Sequence, residues 1–325
     1  MTVLFPNDLA ALEAQLVAGL AAVEDQLRAE IKSDYELADV TARHLVEAGG
    51  KRFRPLMVLL AAQFGDPTAK GVIPSAVVVE LTHLATLYHD DVMDEATVRR
   101  GAQSANSRWG NTVAILSGDF LFARSSKILA DLGPQAVRIQ AETFERLVIG
   151  QLRETTGPVN GEDPVQHHLD VLAGKTGSLI AAAGRYGALM SGVSEELTEQ
   201  IAQFGGAIGI AFQLSDDLLD IQSDNSGKTP GTDLREGIKT LPVLLALADP
   251  NTTDRLRELL SKPIVDDAQH SEALTALRAH PAMAQAHEVL IQWTDKARML
   301  LSDLPESEAK AALFTLCDSV ANRDV

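Results

Sequence analysis

Cysteine occurs once in this 325-residue chain, as Cys317. No disulfide can close within it, and a reducing, cytoplasmic setting is the expectation. Aromatic residues are scarce, at 4%, and the apolar–polar alternation of half-buried strands is nearly absent. The N-terminal MTVLFPNDLAALEAQL has neither a basic leader nor an apolar stretch, so it does not read as a signal peptide. No run is long and uncharged enough to span a bilayer. Basic charge is in deficit too: 28 Lys and Arg face 45 Asp and Glu, a net charge of -17, which argues against nucleic acid as a partner. An anionic ligand suits such a chain only where cations stand between it and the carboxylates.

What the chain does have is apolar helix. Hydrophobic residues make up 46% of it and charged residues 22%, and the 3.6-residue period is nearly continuous. Asn7 is the expected cap of a first helix with Leu9, Leu12, Leu16, Leu20, Val23 and Leu27 on one stripe. A second helix runs from about Tyr35 to the Gly49-Gly50 stop, and Pro55 opens a third. Gly71–Pro74 reads as a loop, Gly110-Asn111 as a turn, and Pro134 as the start of a helix reaching about Thr155. The helical pattern from Val165 to Met190 is interrupted around Gly174–Gly177, and Ser194 caps the next helix. A long polar loop spans Asp224–Gly237, and three or four amphipathic helices follow Asn251. No linker and no fixed-period repeat interrupts this pattern. The expectation is a single all-α domain over residues 1–325, with central helices apolar all round inside an outer ring.

Two stretches carry chemistry. In Glu80–Arg100, ELTHLATLYHDDVMDEATVRR, an apolar helix ends in Asp90, Asp91 and Asp94 and continues into Arg99 and Arg100. Asp90 and Asp94 share one helix face a turn apart. Like charges so placed, at the helix end where the macrodipole disfavours them, call for a cation. One or two carboxylates, with water and phosphate in the remaining positions, suit Mg²⁺, and Arg is suited to bidentate phosphate contacts. A solvated acidic helix end fits one such stretch equally well. The second copy decides against that: Ile208–Ile221, IGIAFQLSDDLLDI, places Asp216, Asp217 and Asp220 at the end of another apolar helix. Two such clusters can face each other across a cavity and clamp Mg²⁺ ions around one diphosphate.

These residues resemble the trans-isoprenyl diphosphate synthases of the polyprenyl synthetase family, and the likeness covers most of the chain. It rests, in order, on GGKRFRP at Gly49–Pro55, His83, DDVMD at Asp90–Asp94, Arg99-Arg100, Lys175-Thr176, Gln213, DDLLD at Asp216–Asp220, Gly227-Lys228 and Lys239. The resemblance implies the isoprenoid synthase fold, with central helices around a deep cavity. It also implies condensation of isopentenyl diphosphate with an allylic prenyl diphosphate, and a homodimer. By the same likeness Lys51, Arg54, His83 and Arg100 hold isopentenyl diphosphate. Arg99, Lys175, Thr176, Gln213 and Lys228 hold the allylic substrate, and Lys175, Lys228 and Lys239 assist the metal-bound aspartates in leaving-group departure. Taken singly, most have a plainer reading: Lys51 and Arg54 as solvated loop residues, His83 as a core histidine, Lys175 as a cap, Gln213 as a buried amide. Asp91 and Asp217 point off the face shared by their neighbours, which leaves a ligand role and a supporting role both open.

The sequence also bears on product length. Thr86 and Ala85, then Thr82 and Leu81, precede Asp90 on its helix and are expected to line the path of the growing chain. The small Ala85 and Thr86 leave the first floor open, which points to a medium-to-long product for a respiratory quinone tail. A side chain from Val113–Leu121 or from the Phe144 helix closing the tunnel early is the alternative, giving a geranylgeranyl or farnesyl diphosphate synthase. A class I terpene cyclase is disfavoured by the second DDxxD and the GGKRFRP loop. A subunit of a heteromeric synthase is disfavoured by the presence of both acidic motifs, and a purely structural helical protein leaves the pair unexplained. A hydrophobic product leaves transient association with a membrane surface open.

Overall fold

The computed structural model describes residues 9–222 and 230–323. The expected cap Asn7 and the Gly227-Lys228 pair lie outside the described residues. Two compact units are distinguished. One comprises Met1–Phe144, Leu179–Gly205 and Leu304–Leu313; the other comprises Glu145–Ser178, Gly206–Asp303 and Phe314–Val325.

In the first unit, α1 (Ala10–Glu30) buries Leu12, Leu16, Val23 and Leu27, most of the expected stripe, while Leu20 is only half-buried. Helix α2 (Glu36–Glu47) ends before Gly49, whose φ of +78° is the left-handed conformation that a glycine stop supplies. Helix α3 spans Phe53–Ala62 and starts two residues ahead of Pro55. Helix α4 (Val72–Met93) takes in Pro74, which the sequence placed in a loop. Both prolines sit in a first turn, where the N–H they lack would have no intrahelical partner anyway. Residues 75–82 of α4 are buried without a break, so this helix is enclosed on every side. A two-stranded hairpin, β1 (Val98–Arg99) with β2 (Ala102–Gln103), leads to α5 (Ala105–Trp109) and α6 (Asn111–Leu132). Helix α6 crosses α4 closely: a Cβ on Gly118 would meet the His89 ring and lie 3.0 Å from the Ala85 carbonyl oxygen.

Helix α7 (Pro134–Thr156) precedes α8 (Pro164–Leu172), which Asp163 caps through the Val165 and Gln166 amides. The expected interruption is a five-residue π-turn, Ala173–Gly177, continuing into α9 (Ser178–Ser191). Helix α10 (Glu195–Gln222) carries the second acidic motif at its end. Short α11 (Thr232–Glu236) and α12 (Leu241–Ala248) follow. The C-terminal region holds α13 (Asp254–Leu260), α14 (Asp267–Arg278), α15 (Ala282–Ser302) and α16 (Glu308–Ala321). The architecture is all-α, as the periodicity implies. No helix among the described residues is long and apolar enough to cross a membrane.

Candidate active site

Within the first unit, the C-terminal end of α4 brings the first acidic motif to the surface. Asp90 is half-buried, Asp94 exposed and Asp91 fully buried. The Asp94 amide donates to the Asp90 carbonyl over 2.8 Å, so helical geometry carries through to Asp94 and keeps it one turn from Asp90. Asp91 turns inward, where its Oδ1 accepts from Arg99 Nε at 2.6 Å and its Oδ2 finds no hydrogen-bond partner. Burial pushes the Asp91 carboxyl up from the ordinary carboxylate range, against the pull of Arg99.

The basic residues converge beside this helix. Arg100, in left-handed conformation, donates to the Gly49 carbonyl and, at 3.3 Å, to that of Leu45. A Cβ on Gly50 would lie 2.9 Å from the same guanidinium, so the double glycine makes room for it. Arg54 sits in the first turn of α3 with its Nε buried and without a hydrogen-bond partner. Burial, opposed by Glu80 and aided by Arg100, brings Arg54 down to about 10. His83 is held well below its ordinary range, by burial first and then by Arg54, Arg100, Arg52 and Arg99. Its ring is therefore neutral at physiological pH, offering one donor and one acceptor. Lys51 is exposed on the loop before α3. A partly desolvated cluster of guanidiniums, with Arg54 Nε unpartnered, is suited to receive an anion.

In the second unit, α7 and the π-turn meet through glycines. A Cβ on Gly150 would lie 2.7 Å from the Lys175 amide nitrogen, and one on Gly174 3.0 Å from the Gly150 Cα. This contact fixes Lys175, whose Nζ donates to Glu154 Oε2 at 2.5 Å. The extra residue of a π-turn re-aims side chains, a common device at functional sites. Thr176 donates to Gln213 Oε1 at 3.4 Å, and Gln213 Nε2 donates to Asp217 Oδ1 at 3.2 Å. Asp217 is buried and also lies 3.2 Å from His168 Nε2. Asp216 is half-buried and accepts from Arg323 Nη1 at 2.5 Å, while the Arg323 guanidinium lies over the Phe212 ring. Asp220 accepts from the Thr232 and Asp233 amides at 3.2 Å, one per carboxylate oxygen, at the start of α11. Lys239 is exposed just before α12.

A polyprenyl synthetase family profile matches residues 36–277. The chain belongs to the polyprenyl synthetase family. It is 51% identical to nonaprenyl diphosphate synthase of Mycobacterium tuberculosis, over 97% of this chain and 95% of that protein. A geranylgeranyl pyrophosphate synthase of Corynebacterium glutamicum, solved with calcium and isoprenyl diphosphate, superposes with a TM-score of 0.86 at 44% identity, covering 96% of this chain and 97% of that one. A decaprenyl diphosphate synthase of Rhodobacter capsulatus gives 0.86 at 35% identity, over 98% and 99% of the two chains.

Against this family the acidic ends fit a divalent cation. Their donors are all carboxylate oxygens, and no three His, Cys, Asp or Glu side chains form a finished cage among the described residues. Hard oxygen donors of this kind suit a divalent cation whose remaining positions are left to water or phosphate. Several residues were not legible from sequence. Arg52 and Glu80 form a buried ion pair beside Arg54, His168 and Glu154 contact Asp217 and Lys175, and Arg323 contacts Asp216. Only the polyprenyl synthetase-like spacing around them hinted at a role. Arg52 stands among the basic residues of the Gly49–Pro55 loop, and Glu80, Glu154, His168 and Arg323 belong to no motif.

Proposed function

We propose that this chain is a Mg²⁺-dependent polyprenyl diphosphate synthase that makes a medium-to-long all-trans product for a respiratory quinone tail. The enzyme class follows from its family, and the observation that carries the site assignment is the arginine cluster around neutral His83 beside the Asp90 helix end. In the reaction the C–O bond of the allylic diphosphate breaks and its electron pair leaves with the diphosphate. The π electrons of isopentenyl diphosphate form the new C–C bond, and loss of a proton restores a double bond. Asp90 and Asp94 in one motif, and Asp216 in the other, would hold Mg²⁺, which would supply charge stabilisation for the departing diphosphate.

The chain's own residues do the rest. Arg54, Arg100, Lys51 and neutral His83 bind isopentenyl diphosphate; Arg99, Lys175, Thr176, Gln213 and Lys228 bind the allylic diphosphate; Lys239 adds positive charge. Asp91, Asp217 and Asp220 support the metal-binding ends. No nucleophilic side chain is required, and burial pushes the Cys317 thiol up to about 12, which leaves it unreactive. The single-domain, cytoplasmic homodimer belongs to the same reading.

The long-product reading draws on the 51% identity to the nonaprenyl enzyme. The 44% identity to a geranylgeranyl enzyme keeps a shorter product as the second reading. The experiment is incubation of the purified protein with Mg²⁺, farnesyl diphosphate and labelled isopentenyl diphosphate, followed by chromatography of the dephosphorylated alcohols. Linear alcohols well beyond geranylgeraniol are expected. A cyclic hydrocarbon, or no product without a second protein, overturns the reading.

A further inference from the structure

Arg52 and Glu80 form a well-buried ion pair in the first unit, and neither has been given a part in substrate binding so far. The Arg52 side chain is 9% exposed and that of Glu80 2%. Arg52 Nη1 donates to Glu80 Oε1 at 2.7 Å, Nε donates to the Glu24 carboxylate, and Nη2 donates to the Val46 carbonyl at 3.1 Å. Arg52 is also left-handed, at φ +47°, a conformation that a non-glycine residue keeps only when its surroundings hold it. Its carbonyl accepts from the Leu56 amide at 3.0 Å, so the turn at Arg52 is the start of α3 and sets the origin of the Arg54 side chain.

Glu80 poses an electrostatic problem. It lies one turn before His83 on the buried stretch of α4, and both Arg54 and Arg100 feel its charge. A carboxylate buried beside an anion site weakens anion binding by simple Coulomb repulsion. It is also expensive to bury unless its partner geometry matters. The three-way clamp on Arg52 resolves this. We propose that Glu80 is a positioning residue for isopentenyl diphosphate: by clamping Arg52 in its left-handed turn it fixes the Gly49–Pro55 loop, so that Arg54 is held ready for the diphosphate. The proposal rests on the reading of this loop as the isopentenyl diphosphate site.

The two possible roles of Glu80 predict opposite signs. If Glu80 is only a nearby negative charge, Glu80→Gln tightens diphosphate binding. If it positions the loop, the same change loosens it. Steady-state kinetics on the full-length enzyme are therefore measured for Glu80→Gln, Glu80→Asp and Arg52→Met, with isopentenyl diphosphate and farnesyl diphosphate each varied in turn. Thermal midpoints serve as a check on folding. The expected result is a KM for isopentenyl diphosphate raised about tenfold or more in Glu80→Gln. Arg52→Met should show a similar rise, Glu80→Asp a partial one, and the KM for farnesyl diphosphate should move much less in all three. Glu80→Gln combined with Arg52→Met should be no worse than either alone, because both remove one clamp. An unchanged or lowered KM for isopentenyl diphosphate overturns the proposal, as do equal rises for both substrates. Should Glu80→Gln fail to fold, Arg52→Met reads out the same clamp from its other end. A wild type that converts neither substrate refutes the assigned function instead; a competent wild type whose variants show no split refutes only the clamp.

Discussion

Replacing Arg54 with methionine should make the protein more stable and its substrate binding worse. In the free enzyme the guanidinium is partly buried, its Nε lacks a partner, and its pKa is brought down to about 10. At about 1.4 kcal/mol per tenfold change in proton affinity, that displacement from the ordinary value corresponds to roughly 3 kcal/mol against the charged form. Solvent at the accessible part of the side chain screens this, leaving about 1–3 kcal/mol. Methionine fills similar space without the charge, so the midpoint of thermal unfolding should rise by a few degrees. The diphosphate loses a charge-assisted contact of about 1.5–3 kcal/mol, which is about 10- to 150-fold in KM for isopentenyl diphosphate. The KM for the allylic primer should change little. Differential scanning calorimetry and two-substrate kinetics on the same preparation measure both effects. A lowered midpoint with an unchanged KM would mean that Arg54 is a structural ion-pair member, and the site assignment built on it would fall.

Chelation with EDTA should abolish turnover and added Mg²⁺ restore it, while Asp90→Ala and Asp216→Ala should each cost on the order of a hundredfold or more in kcat; full activity in excess chelator refutes the metal assignment. His83 is held below its unfolded value of about 6.5, so on acidification the unfolded chain binds that proton first and stability is lost as pH falls below about 6.5. Its imidazole resonance should stay in the neutral position between pH 8 and about 6, and His83→Gln should flatten the acid limb of a stability–pH curve; a mid-range titration of His83 contradicts the arginine cluster. Ala85→Phe should shift products towards farnesyl or geranylgeranyl length with little change in melting temperature if Ala85 lines a tunnel. A fall of several degrees with unchanged products would show instead that the side chain is needed for packing, where overfilling costs about 1–3 kcal/mol.

The all-α fold was legible because its signals are redundant. The Leu12, Leu16, Val23 and Leu27 stripe, the largely apolar stretch before Asp90 and the glycine stop at Gly49 all point to helix. Errors fell where two rules compete at an element's edge. Pro74 reads as part of a loop and Pro55 as the first residue of a helix, yet each is the third residue of its helix, where a proline is still tolerated. The interruption at Gly174–Gly177 was visible as a break in period, but not as a π-turn, because nothing local specifies one extra residue. Glu80 was illegible for a different reason. A lone glutamate in an apolar helix signals only that some partner exists, and Arg52 and Glu24 come from distant points in the chain.

The two acidic motifs share an internal division of labour that follows from helix geometry. In each, the first and last aspartates stand a turn apart, and the second is rotated about 100° away from the first. The structure buries that second residue in both cases: Asp91 at 0% exposure and Asp217 at 5%. A carboxylate turned inward must be met by donors, and the donors are different in the two places. Asp91 takes Arg99, which ties the hairpin bearing Arg99 and Arg100 to the end of α4. Asp217 takes Gln213 and faces His168, which ties α10 to α8 and, through Thr176, to the π-turn bearing Lys175. The inward aspartate thus links an acidic helix end to the segment that supplies its neighbouring cations. On this reading the second aspartate of each motif is an inward anchor, and in the second motif Asp220 is also engaged, by the Thr232 and Asp233 amides. Doubling the aspartate lets one carboxylate anchor the helix end inside while its neighbour stays on the outer face, since one side chain cannot do both.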